Sequence, residues 1–267
     1  MVRDRSQRRS RRTVGQFNQL AKRHVTNPFP PVPILSDDQI EAIHNASMTI
    51  LEEIGMDFLH DDALKIFKDA GADVKSGTQR VRIDRGLLEE AIKTAPSTFT
   101  CHARNPNNHL QIGGNSIIFS MVASTPNASD MDSGRRPGNF RDYENFLRLS
   151  QSLNICHLNG GYPVEPVDVP PETRHLTCIQ SFIKLTDKPF HAYSLGRQRI
   201  VDALEMTRIG RGLTTERLRQ EPSIFSIINT SSPLRLDGPM IEGLIELAQN
   251  NQIICVTPFT LSGAMAP

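Results

Sequence analysis

The sequence is poor in the residues that mark disulfide-rich, zinc-binding and membrane proteins. It contains no tryptophan, three tyrosines and four cysteines. The cysteines form no C-x-x-C pair, so they predict reduced thiols and neither a disulfide framework nor a zinc knuckle; they are Cys101, Cys156, Cys178 and Cys255. No run of about 18 apolar residues could span a membrane, and no apolar stretch of a secretory signal follows the basic start. We therefore expect a cytosolic protein, with 38% hydrophobic residues available for its core.

The charge is unevenly distributed along the chain. The net charge is +1, but residues 1–24 carry eight arginines and lysines against one aspartate, which makes this arm +7 and the remainder −6. Such an arm can neutralise the phosphates of nucleic acid or lipid. It has no interleaved aromatic residues, and the rest of the sequence shows no basic face. We therefore favour a disordered solubilising or subunit-contact arm over a nucleic-acid role. Four prolines in Asn27–Pro33 predict an extended linker, so residues 1–33 form arm and linker.

Residues 34–114 have the pattern of a small α+β region. Ser36 and Gln39 form a capping-box pair, and apolar residues recur at helical spacing from Ile40 until Gly55. Two further helices are predicted, starting near Asp61 and near Asp84. Their predicted buried residues are Leu64 and Phe67 in the first, and Leu87, Leu88, Ala91 and Ile92 in the second. Short strands are predicted at Val81–Ile83, Phe99–Ala103 and Leu110–Ile112.

From about residue 115, strand-like and helix-like segments alternate. The predicted strands are Ile117–Ala123, Ile155–Leu158, Phe190–Leu195, Ile224–Ile228 and Ile253–Val256. The four helical patterns between them lie around Tyr143–Leu153, Leu176–Ile183, Ile200–Leu204 and Met240–Ala248. The strand-to-strand period of about 30–40 residues is the size of a βα unit. This alternation predicts an α/β fold with a parallel sheet.

Two architectures provide such a sheet. A doubly wound dinucleotide fold requires G-x-G-x-x-G after its first strand, but Ser124–Asn127 stands there, and no phosphate loop of the G-x-x-x-x-G-K-[ST] type occurs. We favour a β/α barrel of the TIM type, whose chemistry lies in the loops that follow its strands. A closed barrel of this type has eight strands. We therefore expect residues 115–267 to be the first part of a barrel, and the chain to be an N-terminal fragment.

The loops after the predicted strands are rich in glycine, proline and neutral polar residues. If the barrel is correct they meet at one mouth, where glycine allows close approach of the backbone to a ligand and neutral side chains donate or accept hydrogen bonds. The polar candidates are Asn159, Asn229, Ser231, Ser232 and Thr260. We interpret His157 and His191, on the second and third strands, as packed polar residues rather than catalytic groups. No H-E-x-x-H, no G-x-S-x-G and no paired carboxylates occur at the strand ends. This combination indicates that a cofactor supplies the difficult chemistry.

Five segments together resemble the trimethylamine methyltransferase family in their order and spacing. They are Leu35–Gly55, Asp69–Asp73, Arg136–Tyr143, Ser232–Leu234 and Pro258–Pro267. The resemblance runs from about residue 30 to the end, and it includes a basic N-terminal arm. It implies a β/α barrel that moves a methyl group from a methylated amine, such as trimethylamine or glycine betaine, to Co(I) of a corrinoid (cobalamin). The corrinoid is carried by a partner protein, and we expect the full-length subunit to form a homo-oligomer.

The implied reaction is an in-line displacement whose leaving group is a neutral amine. It requires a dry pocket that positions the methyl carbon, and little proton transfer. A methylammonium group favours aromatic faces, each worth about 0.5–2 kcal/mol. Tyr162 and Phe259 are the first candidates for such a face, and Tyr193 is the third. The resemblance leaves the identity of the donor open.

Two other classes of function stay open from the sequence. One is a non-catalytic remnant or interaction protein whose basic arm binds a partner subunit or nucleic acid. The other is an unrelated barrel enzyme, which would need metal-binding or carboxylate residues outside this chain.

Overall fold

A computed structural model describes residues 18–231, 233–258 and 261–263 of the 267-residue chain. Among them the helices are α1 (Asp37–Thr49), α2 (Asp61–Asp69), α3 (Arg85–Lys93), α4 (Phe140–Ser152), α5 (Pro171–Leu185), α6 (Arg197–Arg211), α7 (Thr215–Gln220) and α8 (Gly238–Gln249). The strands are β1 (Val25–Thr26), β2 (Met56–Phe58), β3 (Asp73–Val74), β4 (Arg80–Arg82), β5 (Thr98–Cys101), β6 (Leu110–Gly113), β7 (Ser116–Ile117), β8 (Asn127–Asp130), β9 (Gly134–Pro137), β10 (Phe190–His191), β11 (Ile224–Thr230), β12 (Arg235–Leu236) and β13 (Ile253–Pro258). None of the helices in these ranges is long and apolar enough to span a membrane.

The first helix begins where its capping signal predicts. The Ser36 hydroxyl accepts from the Gln39 amide, and the Gln39 side chain accepts from the Ser36 amide, which confirms the capping box. A π-helical turn (Ile50–Ile54) continues α1 as far as Gly55. Gly55 has φ +77°, and a Cβ there would collide with the Val81 carbonyl. Glycine is therefore required at this position, and it ends the helix.

The predicted burial of the N-terminal helices is partly wrong. Ala91 and Ile92 of α3 are exposed, and Ile40 and Ile43 of α1 are 54% and 57% exposed. Helical spacing identifies an apolar face, but it carries no information about whether another element covers that face. The other predicted residues of α2 and α3 are half-buried, namely Leu64, Phe67, Leu87 and Leu88.

The region 34–114 contacts the parallel strands at both of their ends. β2 pairs in parallel with β12, which follows the C-terminal end of β11, and this contact completes a four-stranded sheet of order β12-β2-β4-β3. The β5–β6 hairpin lies at the opposite end, where the His102 amide donates to the Pro222 carbonyl just before β11 begins.

Five consecutive segments lie side by side in parallel. β10, β11 and β13 form a three-stranded sheet in chain order. Isolated parallel bridges join Ser120 to Leu158 and Asn159 to Phe190, which adds two segments in the same order. Neighbouring strands that follow chain order, with a helix between each pair, are what successive units of a β/α barrel produce. The described strands form an open arrangement, so closure into a barrel stays a prediction.

The first two predicted strands are much shorter than expected. Of Ile117–Ala123 only Ile117 lies in a strand, β7, which pairs antiparallel with β1, and Ile155–Leu158 contributes a single bridge. The ladder is interrupted because the Phe119 amide donates to Nδ1 of His157 (3.0 Å) instead of to a backbone carbonyl. The third predicted strand is reduced to β10, and the fourth and fifth extend slightly beyond their predicted ends. A β8–β9 hairpin and helix α7 were not predicted.

The four long helices α4, α5, α6 and α8 cover one face of these strands. The core between them holds fully buried side chains from each layer, namely Tyr143, Leu147, Phe182, Ile200, Ile224 and Leu247. Phe190 of β10 stacks on Phe182 of α5. Because side chains alternate along a strand, the next residue, His191, faces away from the helices and stacks on Phe225.

Candidate functional site

A pair of tyrosines lies at the C-terminal ends of the parallel strands. Tyr162 and Tyr193 contact edge to face, with ring centroids 4.6 Å apart. The Tyr193 hydroxyl accepts from the Tyr162 amide (3.0 Å) and shares a hydrogen bond with the Ser124 hydroxyl (2.6 Å). This edge-to-face geometry is the preferred one for aromatic pairs. The two rings are therefore fixed to each other by stacking and by hydrogen bonds.

Gly161 makes the approach of the two loops possible. A Cβ at this position would collide with the Tyr193 hydroxyl and the Ala123 side chain, and φ is +151°. Glycine in these loops predicted close approach of the backbone to a ligand, whereas Gly161 lies against two other side chains of the protein.

A cavity of about 290 Å³ opens beside the tyrosine pair. Its wall combines the two aromatic rings with charged groups at the N-terminal ends of α5 and α6, and its lining residues are Tyr162, Glu165, Pro171, Arg174, Tyr193, Leu195 and Arg199. Arg174 donates to Glu165 (2.5 Å) and to the Val169 carbonyl. Because Arg174 neutralises Glu165, Arg199 leaves the lining with a net positive charge.

The phenols of the pair are held neutral. Burial raises the pKa of Tyr162 and of Tyr193, and in Tyr193 the hydrogen bond from Ser124 opposes this rise. Burial also lowers the pKa of the neighbouring His191 to about 4, against a weaker opposing effect of the Gly160 carbonyl. The ring of His191 contacts Tyr193, with centroids 4.4 Å apart. At neutral pH these three rings are therefore uncharged, and they present π faces without an ionised base.

His191 is fixed by the neighbouring strand. Its Nε2 accepts from the Ile227 amide (3.1 Å), so the neutral ring carries its proton on Nδ1. Nδ1 is buried and makes no well-formed hydrogen bond among the described residues, and the Gly160 carbonyl is the backbone acceptor that acts on this ring. Nε2 is thus used to hold the ring against β11, in agreement with a packing role for His191. The Nδ1–H group remains as a donor on the side of the sheet opposite the helices.

Asn159 does not lie in the tyrosine cavity. Its side chain points into the layer between the sheet and the helices, where it contacts the Ser150 hydroxyl (2.7 Å) and donates to the Thr186 hydroxyl (3.3 Å). It is 1% exposed. We therefore reassign Asn159 from ligand binding to the support of the core.

The remaining predicted residues that the structure describes are Asn229 and Ser231. Asn229 is half-buried in β11 and, by alternation from Phe225, faces the same side as His191. Ser231 forms two backbone hydrogen bonds with Arg235 and closes the loop that leads into β12. Neither lines the tyrosine cavity. Ser232, Phe259 and Thr260 lie outside the described residues.

The cavity contains residues that the sequence analysis did not single out. Ser124, Glu165, Arg174 and Arg199 line it or hold the tyrosines. The arginines belong to the first turns of α5 and α6, and first-turn residues at the C-terminal end of a parallel strand adjoin its loop. The position of these arginines in the first helical turn after a predicted strand was the sequence feature that could have identified them.

Among the described residues no group of three or more His, Cys, Asp or Glu side chains could hold a metal ion.

Comparisons with known proteins identify the family. Residues 2–267 match the family described as Trimethylamine methyltransferase (MTTB). The chain therefore belongs to the trimethylamine methyltransferase family, as its motifs suggested.

Three relatives illustrate the range of the family. The chain is 36% identical to the glycine betaine methyltransferase of Desulfitobacterium hafniense strain Y51, over 90% of this chain and 49% of that protein. It is 28% identical to a trimethylamine methyltransferase of Desulfitobacterium hafniense strain DSM 10664 / DCB-2, over 86% of this chain and 46% of that one. It is 24% identical to the proline betaine:corrinoid methyltransferase of Eubacterium limosum, over 87% and 49%. The chain thus spans about half the length of the curated relatives it matches.

Proposed function

We propose that the tyrosine cavity holds the methylated amine donor of a corrinoid-dependent methyl transfer. The observation that carries this proposal is the fixed pair of neutral tyrosine rings beside a cavity, at the strand ends of a member of this family. A quaternary ammonium group has no proton to donate, and it binds to π faces by electrostatic attraction to the ring. A buried ring next to a half-buried one, both neutral, suits such a group.

The charges around the cavity favour a donor that also carries a carboxylate. Arg199 adds a positive charge beyond the neutralised Arg174–Glu165 pair, and it would repel a simple cation. A carboxylate would be attracted by Arg199 and by the N-terminal ends of α5 and α6, where the helix dipoles are positive. Glycine betaine has both groups, and a relative named for that substrate is 36% identical to this chain. A betaine-type donor is therefore our proposal, ahead of trimethylamine.

The chemistry of the described residues agrees with this assignment. The donor leaves as a neutral amine, so the reaction requires no general acid. The reduced corrinoid of the partner protein supplies the methyl acceptor. Tyr162 and Tyr193 would exclude water from the ammonium and fix its direction, and Arg199 would orient the carboxylate. Positioning of this kind contributes a large part of the acceleration in displacement reactions.

The complete catalytic unit is also part of the proposal. The consecutive parallel strands support a β/α barrel in which further βα units close the mouth and complete the donor site. The corrinoid protein would approach from the C-terminal ends of the strands, because the chemistry of such barrels lies there. A homo-oligomeric full-length subunit stays a prediction.

Donor binding by the chain itself tests the cavity directly. Glycine betaine and tetramethylammonium are titrated calorimetrically into the wild-type chain and into Tyr193→Phe, Tyr193→Leu and Arg199→Gln. We expect Tyr193→Leu to weaken both ligands about 2- to 30-fold, because one aromatic face is lost. Tyr193→Phe keeps the face and should have a smaller effect. Arg199→Gln should weaken glycine betaine but strengthen tetramethylammonium.

Methyl transfer tests the activity. The full-length reading frame is assayed with its reduced corrinoid protein and a panel of methylated amines, with the cobalt spectrum as the readout. Turnover of a betaine that Arg199→Gln slows through KM would support the assignment. Absence of turnover with every donor would reject it, and equal weakening of both ligands by Arg199→Gln would reject the role of the carboxylate.

A further inference from the structure

A second pocket lies at the opposite, N-terminal ends of the parallel strands, and it is lined by basic groups. We call it the strap pocket. It has a volume of about 280 Å³, and its lining residues are Lys22, Arg23, His24, Asn107, His109, Leu110, Ile117, Ile118 and His157. Five of these nine side chains are basic, and none is a carboxylate. Methyl transfer at the tyrosine cavity makes no use of this pocket.

One wall of the pocket is a segment that is hydrogen-bonded to the rest of the protein along its length. This strap, residues 19–27, begins with Gln19, which bonds to the Ser152 carbonyl and the Asn154 amide. It continues through β1, which pairs with β7, and ends where the Asn27 amide donates to the Asn115 carbonyl. Lys22 and His24 are thereby held at the pocket wall by the strap backbone.

Two histidines of the pocket are fixed as hydrogen-bond donors. Nδ1 of His157 accepts from the Phe119 amide, and Nδ1 of His109 accepts from the Ala103 amide, each at 3.0 Å. Both neutral rings therefore carry their proton on Nε2. His157 is 4% exposed, and among the described residues its Nε2 has no hydrogen-bond partner. This nitrogen is not among the fully buried atoms that lack a partner, so it is open to the pocket and available to an acceptor that enters it.

The basic groups act on each other. After burial, which is the largest cause, Lys22, Lys188 and His24 lower the pKa of His157. The negative charge of Asp187 acts on Lys22, and this carboxylate also accepts from three amide side chains, those of Asn105, Asn108 and Gln151. The lining thus combines the positive charges of Lys22 and Arg23 with an unused imidazole donor, and the ionised Asp187 outside the lining opposes part of that charge.

We propose that the strap pocket binds a small phosphate-bearing anion. A phosphate would accept from Nε2 of His157 and His109, and it would pair with the charge of Lys22 and Arg23. The donors lie inside a concave pocket rather than along an open face, and its other walls include Leu110, Ile117 and Ile118, with no Phe, Tyr or Trp ring in the lining. These features favour a small anion over a nucleic-acid strand.

Calorimetric titration tests the proposal. Inorganic phosphate and pyrophosphate are titrated into the chain at constant ionic strength. We expect saturable binding that Lys22→Gln weakens about tenfold or more, because a charge-assisted hydrogen bond is lost. The exposed Arg23→Gln, which should not disturb folding, is expected to weaken binding several-fold. Lys75→Gln and Arg141→Gln change exposed residues outside the pocket and serve as matched controls.

The histidine resonances give an independent readout. Bound phosphate should raise the pKa of His157 and His109, against the opposing charges of Lys22, Lys188, His24 and Arg211 and in line with that of Glu221. NMR titration of the imidazoles with and without phosphate measures this shift. An unchanged pKa for both rings would overturn the proposal.

Three other results would also overturn it. One is the absence of saturable binding of either anion. The second is loss of binding after deletion of residues 2–17, since the basic arm would then be the binding element. The third is tight binding of single-stranded RNA that Lys22→Gln weakens and pyrophosphate does not displace, since the pocket would then be part of a nucleic-acid site.

Discussion

Replacing Asn159 by alanine separates its structural role from the ligand-binding role that its position in the sequence suggests. The side chain is 1% exposed and joins the Ser150 hydroxyl of α4 to the Thr186 hydroxyl at the end of α5. Truncation leaves two buried hydroxyl groups with fewer partners, and each such loss costs about 1–3 kcal/mol. We expect Asn159→Ala to lower the free energy of unfolding by about 2–4 kcal/mol, since the two losses are coupled. The melting temperature should fall by roughly 4–16 °C.

Thermal and urea unfolding followed by circular dichroism provide the measurement. Asn145→Ala is the matched control, because Asn145 is exposed on α4, and its effect should stay within about 0.5 kcal/mol. A double-mutant cycle with Ser150→Ala should give a coupling energy of about 0.5–3 kcal/mol. If Asn159→Ala left stability unchanged but weakened betaine binding, the reassignment of this residue would be wrong.

Three further predictions concern pH, the outer helix face and the tyrosine site. Burial depresses the folded-state pKa of His191 to about 4. The stability that the neutral ring contributes is therefore present above pH 6.5 and is lost as the pH falls through 4. When the free energy of unfolding is followed into acid, His191→Phe should lose about 3 kcal/mol less than the wild type. Ile43→Gln should change stability by less than about 0.5 kcal/mol, whereas Leu147→Ala should cost about 2–5 kcal/mol, and comparable urea midpoints for the two would contradict the observed burial. Gly161→Ala should lower the free energy of unfolding by about 1–3 kcal/mol through backbone strain, and it should weaken betaine binding because the new Cβ displaces Tyr193. An unchanged calorimetric affinity would show that Gly161 does not position the binding site.

Local signals in the sequence were sufficient for most helices and for the two longest strands. The capping box at Ser36 and the apolar runs of β11 and β13 are local properties, and the structure confirms them. The lengths of the first two predicted strands were overestimated, because the backbone pairing between them depends on a tertiary contact. The Phe119 amide donates to the His157 ring, and no pattern within either segment encodes that contact.

The candidate site shows the same limit. Alternation along a strand predicts that neighbouring residues face opposite sides, but the sequence does not show which side the helices cover. Asn159 was therefore assigned to the mouth, while it faces the helices. Tyr162 and Tyr193 were selected as aromatic residues of strand-end loops, and their mutual contact depends on Gly161. Arg199 was missed because a first-turn arginine of an amphipathic helix is usually a solvated residue.

The region 34–114 contacts the parallel strands at both of their ends. The tyrosine cavity lies at one end of these strands, and the strap pocket lies at the other. The loop after β11 cannot move freely, because its Leu234 and Leu236 carbonyls accept from the Asp57 and Leu59 amides. At the other end the strap and the β5–β6 hairpin form the walls of the basic pocket. A region that contacts both ends of the parallel strands fixes their loops without contributing a residue to the tyrosine cavity. Its backbone hydrogen bonds therefore help to hold the loop after β11 and the start of that strand in place.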